Sequence, residues 1–552
     1  MTDNLIRGDP SLPRSARMQV VDRAMTRMLG LPPATTDYSL RKDVPVPMRD
    51  GVVLRADHYV PRTATPAGTL LLRSPYGRGV PLSWIYAQAY AQRGYHVVLQ
   101  SVRGTFGSGG VFEPATNEVE DGADTVAWLR GEPWFTGTFA TLGQSYLGFT
   151  QWALLVDPPP ELVTAVIIVG PHESKSLIAR NGGLALNNVL WWCAQVANQE
   201  VGGAARKTLR QFTSERGVRL AANRLPLGRS GRDLLGPGAT WYEDALEHSS
   251  VGDEFWRRAD VEAAPDRTNI PVLLIGGWQD LFLSQTLEQY RRLKANGSNP
   301  ALHIGAWTHL QMLGKAAGLI TRETLPWLAR HLGSVTSAER SPVRIFVTGG
   351  PGWRELPDWP PASQSRTLYL NAGGALSEEA PAEDGSRSCF TYDPADPTPT
   401  IGGPLLSASN AGYRDDTALS VRDDVITFTT TRLTRDWEVI GTPSVELEHS
   451  TDNPHADVFV RLSEVDSRGR SRNVSEGFLR RADQDATVRI VLDAIAHRFR
   501  AGTRIRLMIA GGSHPHYARN LGTGEPPLTA SAMKPSRHTV AHGASRLTLP
   551  VV

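Results

Sequence analysis

Cysteine is nearly absent. Cys193 and Cys389 are the only two in 552 residues, and they fall in segments assigned below to different domains. That scarcity excludes a disulfide-stapled framework and a cysteine-built zinc site. Long apolar runs are missing too. One of the longest, Leu162 to Gly170, has the length of a strand and not of a membrane span, so no membrane association is expected. Charge of either sign is not in excess. The net charge is +2, which gives no global attraction to nucleic acid or anionic lipid. The densest basic run, Arg468-Gly-Arg470-Ser-Arg472, reads as a solvated turn between strands. Metal ligands do not cluster. His514-Pro-His516 comes nearest and lacks acidic partners at useful spacing, so neither a metal nor a cofactor is expected. The first residues contain no apolar region of the kind a signal peptide carries, and a cytoplasmic location is the default expectation.

What is present is an ordinary globular composition, with 40% apolar and 21% charged residues, in a chain long enough for two or three domains. Residues 1–40 read as an arm with a short amphipathic helix, Ala16 to Leu29, ending near Gly30 and Pro32-Pro33. Asp50-Gly51 between alternating apolar residues marks a hairpin. Strands and helices then take turns. Strands are expected at Thr69–Arg73, Tyr95–Gln100, Phe139–Leu142, Val163–Val169, Pro271–Gly276 and Ala301–Gly305. Helices are expected at Ser83–Arg93, Asn117–Leu129, Tyr146–Val156, Leu283–Lys294 and Lys315–Leu332. This alternation predicts a mostly parallel sheet with helices on both faces. Residues 175–265 interrupt the rhythm with helical stretches, Leu177–Gln199 and Ala204–Ala222, and read as a cap. From 341 to 552 short alternating strands, including Arg344–Val347, predict an all-β sandwich of the jelly-roll type. The parallel-sheet core would then comprise 41–174 and 266–340.

One turn stands out. Gly143-Gln-Ser145-Tyr-Leu-Gly148 directly follows the apolar strand Phe139–Leu142 and opens a helix. A tight strand-to-helix turn lifts a serine hydroxyl clear of a sheet, which is how a nucleophile is presented. The common pattern has glycine two residues after the serine; here Leu147 holds that place and the glycine comes one later. A serine hydroxyl needs a base, and the base needs an orienting carboxylate. The next two core strands end in candidates. Asp280 lies four residues beyond Pro271–Gly276, and His309 four beyond Ala301–Gly305. The order Ser, Asp, His along the chain is that of a hydrolase built on a doubly wound sheet. Asp280 would also serve as a helix cap before Leu281-Phe282. The Tyr146 amide is positioned to be one oxyanion donor. The segment after the first core strand, Arg73-Ser-Pro-Tyr76, lacks a glycine run that would supply a second, and on chemistry alone Tyr76 is a packed aromatic.

These motifs together (Arg73-Ser-Pro-Tyr76, Gly-Gln-Ser145-Tyr-Leu-Gly, Gly-Trp-Gln-Asp280-Leu-Phe, Trp-Thr-His309) resemble the cocaine esterase-like (CocE/NonD) hydrolases. That family is related to the X-Pro dipeptidyl peptidases and α-amino-acid ester hydrolases. The resemblance runs from about residue 40 to the end, through Tyr392-Asp-Pro-Ala-Asp-Pro, Asp436-Trp-Glu-Val-Ile-Gly and Arg519-Asn-Leu-Gly-Thr-Gly. It implies an α/β-hydrolase core with a helical cap and a C-terminal jelly roll of the galactose-binding type. It carries the nucleophile to Ser145, the acid to Asp280 and the base to His309. It makes the Tyr76 phenol an oxyanion donor beside the Tyr146 amide, and Phe282 a wall of the acyl pocket. Ser101 departs from the pattern, since relatives often carry Asp there, two residues before Arg103-Gly; a salt bridge to Arg103 is expected to be lost.

The expected activity is hydrolysis of a small-molecule carboxylic ester, with an amide as second candidate, through an acyl-enzyme. Trp191 and Trp192 are candidate pocket walls in a stretch with few charges, which argues against a site for a substrate ammonium. The alternatives are an X-Pro peptidase or amino-acid ester hydrolase, an acyltransferase with the same triad, and a carbohydrate-binding protein with an inactive core. Ser531-Ala-Met-Lys534 matches a β-lactamase motif by chance. Homo-oligomer formation is left open.

Overall fold

The computed structural model describes residues 16–173, 175–180, 182–197, 199–200, 215–236, 239–249, 255–256, 261–333, 341–381, 385–481 and 486–552. Twelve strands come first along the chain: β1 (Tyr38–Pro47), β2 (Val53–Pro61), β3 (Gly68–Ser74), β4 (Tyr95–Ser101), β5 (Phe139–Gln144), β6 (Leu162–Ile168), the two-residue pair β7 (Ala179–Arg180) and β8 (Gly183–Leu184), β9 (Val272–Gln279), β10 (Ala301–Thr308), β11 (Val343–Val347) and β12 (Gly352–Leu356). Ten of them form one sheet in the order β1-β2-β4-β3-β5-β6-β9-β10-β11-β12. From β4 to β11 the neighbours run parallel, with antiparallel strands added at both edges. The parallel strands β3, β4, β5 and β9 are buried along their whole length. That is why they read in sequence as continuous apolar runs and not as alternations. Two apolar clusters form. One is built around Trp152, Leu155, Tyr290 and Leu293, the other around Tyr86, Tyr90, Met312 and Leu328. Helices on the two faces supply them.

The hairpin at Asp50-Gly51 joins β1 and β2 as expected. The strand Arg344–Val347, assigned in sequence to the C-terminal domain, instead pairs in parallel with β10. The sheet therefore runs past residue 341. Five alternating residues cannot announce which sheet they will join, because pairing is decided by topology. The expected helix Leu177–Gln199 is broken. A short helix Lys175–Ile178 and the β7–β8 hairpin precede the helix Leu186–Ala197. The break is at a glycine pair: Gly182 has φ +81°, and a Cβ on Gly183 would stand 2.2 Å from the Phe478 ring. Of the stretch expected from Ala204 to Ala222, residues 204–214 lie outside the described ones, and 215–222 is helical.

Beyond residue 363 the described residues are β-rich, with two short 3₁₀ turns, Ala372–Gly374 and Thr417–Val421. Twelve strands, nearly all antiparallel, share one sheet and enclose a core around Leu447, Phe428, Phe499 and Leu547. Its longest strand, Ser536–Val551, pairs with Gln364–Asn371, Arg387–Tyr392 and Ser444–Thr451. This domain packs on the strand ends of the first. The Gln279 amide donates to the Val474 carbonyl at 3.2 Å, and a Cβ on Gly412 would meet Thr308 at 2.9 Å. Its Leu406 exchanges hydrogen bonds with Asn187 and Asn188 of the inserted helical segment. Both cysteines are free thiols, Cys193 buried and Cys389 exposed.

Candidate active site

Ser145 sits between β5 and the helix Tyr146–Leu155. Its backbone has φ +57° and ψ −123°, a conformation L-residues avoid. The turn is held by Ser145 N–H on the Ile168 carbonyl at 2.9 Å, and by Gly148 N–H on the Ser145 carbonyl at 2.8 Å. The glycine spacing has a steric cause. A Cβ on Gly143 would stand 2.4 Å from Leu147 Cβ, and one on Gly148 would stand 2.5 Å from the Gly170 Cα. The helix here presses against the backbone after β6, so Gly148 is required where the commoner pattern places its glycine one residue earlier.

Asp280 and His309 follow β9 and β10 directly. The three side chains meet. His309 Nδ1 lies 2.7 Å from Asp280 Oδ2, and His309 Nε2 lies 2.9 Å from Ser145 Oγ. A buried carboxylate can only accept, so the proton is on Nδ1 and Nε2 is left to accept from the serine hydroxyl. The second Asp280 oxygen accepts the Phe282 amide at 2.8 Å, which fixes the carboxylate plane. Asp280 thus ties down the start of the next helix without being its cap, since the N-cap is Phe282. His309 opens a short 3₁₀ turn, His309–Leu313, locked by reciprocal bonds between Thr308 and Gln311. The Phe282 ring stands edge-on to His309, with centroids 5.5 Å apart.

The Tyr76 hydroxyl is close enough to the Ser145 side chain and the Tyr146 amide for both to lower its pKa. It also accepts the Trp192 indole N–H at 3.1 Å. Burial holds the Tyr76 phenol above its usual range, against the lowering effect of these neighbours, and so keeps it protonated. Trp192 is half-buried and stacks on Tyr146, with rings nearly parallel at 7° and 6.3 Å apart. Trp191 faces the other way, toward a cleft of about 830 Å³ lined also by Asn187, Leu405, Leu406 and His514.

Sequence reasoning passed over what lies beneath Tyr146. Its phenol accepts the Ala115 amide and donates to Glu118 Oε1, each at 2.8 Å. Glu118 Oε2 is 2.9 Å from an Arg73 guanidinium nitrogen, and both side chains are buried. Arg73 also donates to Gln100 Oε1 at 2.9 Å and to the Glu118 carbonyl at 2.8 Å. Burial, helped by the nearby Asp121, raises the Glu118 pKa against the lowering effects of Arg73 and Tyr146. Arg73 was visible within the Arg-Ser-Pro-Tyr motif; its partner, 45 residues on, carried no signal. The expected loss at Ser101 is corrected. Arg103 pairs with Asp121 at 2.5 Å and with Asp50 at 2.7 Å, and Ser101 accepts from Arg78 at 2.6 Å instead. The helix Glu118–Arg130 supplies the carboxylate that the strand lacks.

A serine on a strained strand-to-helix turn, bonded through histidine to a buried carboxylate on a parallel sheet, defines the class: a serine hydrolase of the α/β-hydrolase type. Comparison with known proteins agrees. A family model described as X-Pro dipeptidyl-peptidase (S15 family) matches residues 50–311. A second, the X-Pro dipeptidyl-peptidase C-terminal non-catalytic domain, matches 337–548. A cocaine esterase from Rhodococcus sp. (strain MB1 Bresler) is 29% identical over 545 residues, covering 88% of this chain and 93% of that protein. Among solved structures, an aminopeptidase from a marine sediment Thaumarchaeota archaeon superposes with a TM-score of 0.81 at 22% identity, covering 99% of both chains. An α-amino acid ester hydrolase gives 0.80 at 23% identity, covering 95% of this chain and 98% of the other. The chain belongs to the cocaine esterase-like serine hydrolases, relatives of the X-Pro dipeptidyl peptidases.

Proposed function

We propose that the protein hydrolyses a small, uncharged carboxylic ester through an acyl-enzyme on Ser145. The observation that carries this reading is the continuous hydrogen-bond chain Ser145–His309–Asp280 at adjoining strand ends. His309 takes the Ser145 proton as Oγ attacks the substrate carbonyl, and returns it to the departing alcohol. Water then enters, gives a proton to His309, and releases the acid from Ser145; the second proton transfer restores the serine hydroxyl. Asp280 holds the imidazole tautomer and balances its positive charge in both steps. The negative oxygen of each tetrahedral intermediate takes its hydrogen bonds from the Tyr146 amide and the Tyr76 hydroxyl.

The choice of a neutral ester rests on the surroundings of Ser145. Tyr76, Tyr146, Trp192 and Phe282 are the neighbours described above, and each is aromatic. Of the described carboxylates close by, Asp280 is committed to His309 and Glu118 to Arg73 and Tyr146. Glu200, just past the helix that carries Trp192, accepts the Phe106 amide. The relative named a cocaine esterase supports an ester in the same site. The family's peptidase description makes an X-Pro amide the second reading. A panel of neutral esters, amino-acid esters and X-Pro anilides, run on wild type and Ser145→Ala, separates them. Neutral esters should turn over fastest, and Ser145→Ala should abolish turnover. Preference for the cationic substrates would overturn the substrate class, and a fully active Ser145→Ala would overturn the mechanism.

A further inference from the structure

The inserted helical segment does more than cover the site. We infer that Trp192, on the helix Leu186–Ala197, is a positioning residue of the oxyanion hole, because its indole N–H donates to the Tyr76 hydroxyl oxygen at 3.1 Å. The inference rests on the serine hydrolase reading of Ser145 and deepens it.

A phenol has one proton to give and lone pairs that accept. As an oxyanion donor, Tyr76 must aim that proton at the substrate oxygen. An indole N–H can only donate, so it occupies a lone pair of Tyr76 and cannot compete for the proton. The phenol is then fixed in rotation, and accepting one hydrogen bond makes it the stronger donor of the next. The same indole ring lies parallel to the Tyr146 ring, over the residue whose amide is the other donor. One side chain of the inserted segment therefore bears on both halves of the hole.

Neighbouring hydrogen bonds brace the contact. Just past this helix, Gln199 donates to the Pro75 carbonyl at 2.7 Å, next to Tyr76. Glu200 accepts the Phe106 amide at 2.9 Å. Phe106 itself has φ +45°, and its carbonyl accepts from Arg78, two residues past Tyr76, at 3.0 Å. The loop carrying Tyr76 is thus tied to the segment carrying Trp192 at several points. Seating of this segment arms the hole, and substrate that displaced it would meet a slack one.

The test is a double-mutant cycle. Trp192→Phe keeps a ring over Tyr146 and removes the N–H. Its kcat per fluorophosphonate-titrated site should fall about tenfold on a neutral ester, with KM nearly unchanged, as expected for one lost hydrogen bond to a reacting group. In a Tyr76→Phe background the same change should cost nothing further. Trp192→His, which restores an N–H, should recover part of the rate. An equal loss with and without the Tyr76 hydroxyl, or a loss confined to KM, would overturn the positioning role and leave Trp192 a pocket wall. Absence of fluorophosphonate labelling at Ser145 in the wild type would instead overturn the underlying hydrolase reading, and this inference with it.

Discussion

Replacing Glu118 by Gln tests whether the charge beneath Tyr146 is needed where it lies. Glu118 and Arg73 are each 3% exposed and 2.9 Å apart, with the Tyr146 phenol on the other carboxylate oxygen. A side-chain amide in place of the carboxylate would keep one acceptor for Arg73 but leave the guanidinium charge without a counter-charge. It would also turn an N–H₂ toward the phenol, which already accepts from Ala115 and would lose its acceptor. Breaking a buried pair from one side costs about 3–5 kcal/mol, and the retained hydrogen bond puts this change near 3. With an unfolding entropy of about 2.1 cal/mol/K per residue, a chain of this size unfolding as one unit should melt roughly 3 °C lower. The pair itself is not a large net source of stability, since burial outweighs Arg73 in setting the Glu118 pKa. Removing both charges should therefore cost less than the sum of the parts. Thermal and urea unfolding of Glu118→Gln, Arg73→Met and the double variant read this directly. The coupling should be about 1–3 kcal/mol in favour of the double variant. A Glu118→Gln protein as stable as wild type, or strictly additive variants, would refute the reasoning.

Tyr76→Phe should lower kcat by about 100- to 1,000-fold while the fold persists, measured as turnover per titrated site; an unchanged kcat removes the phenol from the oxyanion hole. Gly148→Ala forces a Cβ to within 2.5 Å of the Gly170 backbone, and should destabilise by about 1–3 kcal/mol in urea unfolding; a neutral result would mean the turn yields freely. Burial lowers the pKa of His96 and His449 to about 4, and that of His514 and His538 to about 3. The unfolded chain, with histidines near 6.5, binds more protons than the folded one below that pH, so these groups take stability away as pH falls from about 6.5 toward 4. The urea midpoint should drop between pH 7 and pH 5 from this source, and His538→Asn should flatten the drop; a midpoint that rises on acidification would contradict it.

Much of this was legible in the residues. The parallel strands announced themselves as unbroken apolar runs because both faces are buried, and their polar endings gave Ser145, Asp280 and His309 their addresses. Their meeting within 2.9 Å follows from strand order, which chain order in this class foreshadows. What escaped depended on contacts far apart in sequence. Trp192 was readable as an aromatic near the pocket, but its bond to Tyr76 spans 116 residues. Glu118 carried no signal in the sequence, because only topology sets it under Tyr146. Arg103 looked deprived by Ser101 because Asp121, on the neighbouring helix, could not be placed beside it from spacing alone. Strand β11 was short and alternating, and only its pairing with β10 shows which sheet claims it.

The most direct measurement is intact-mass analysis of the protein mixed rapidly with a slow neutral ester, followed by peptide mapping. The account predicts a transient mass gain equal to the acyl group, located on the peptide bearing Ser145 and absent from Ser145→Ala. Turnover without any acyl adduct on Ser145, or an adduct that forms equally in Ser145→Ala, would contradict it.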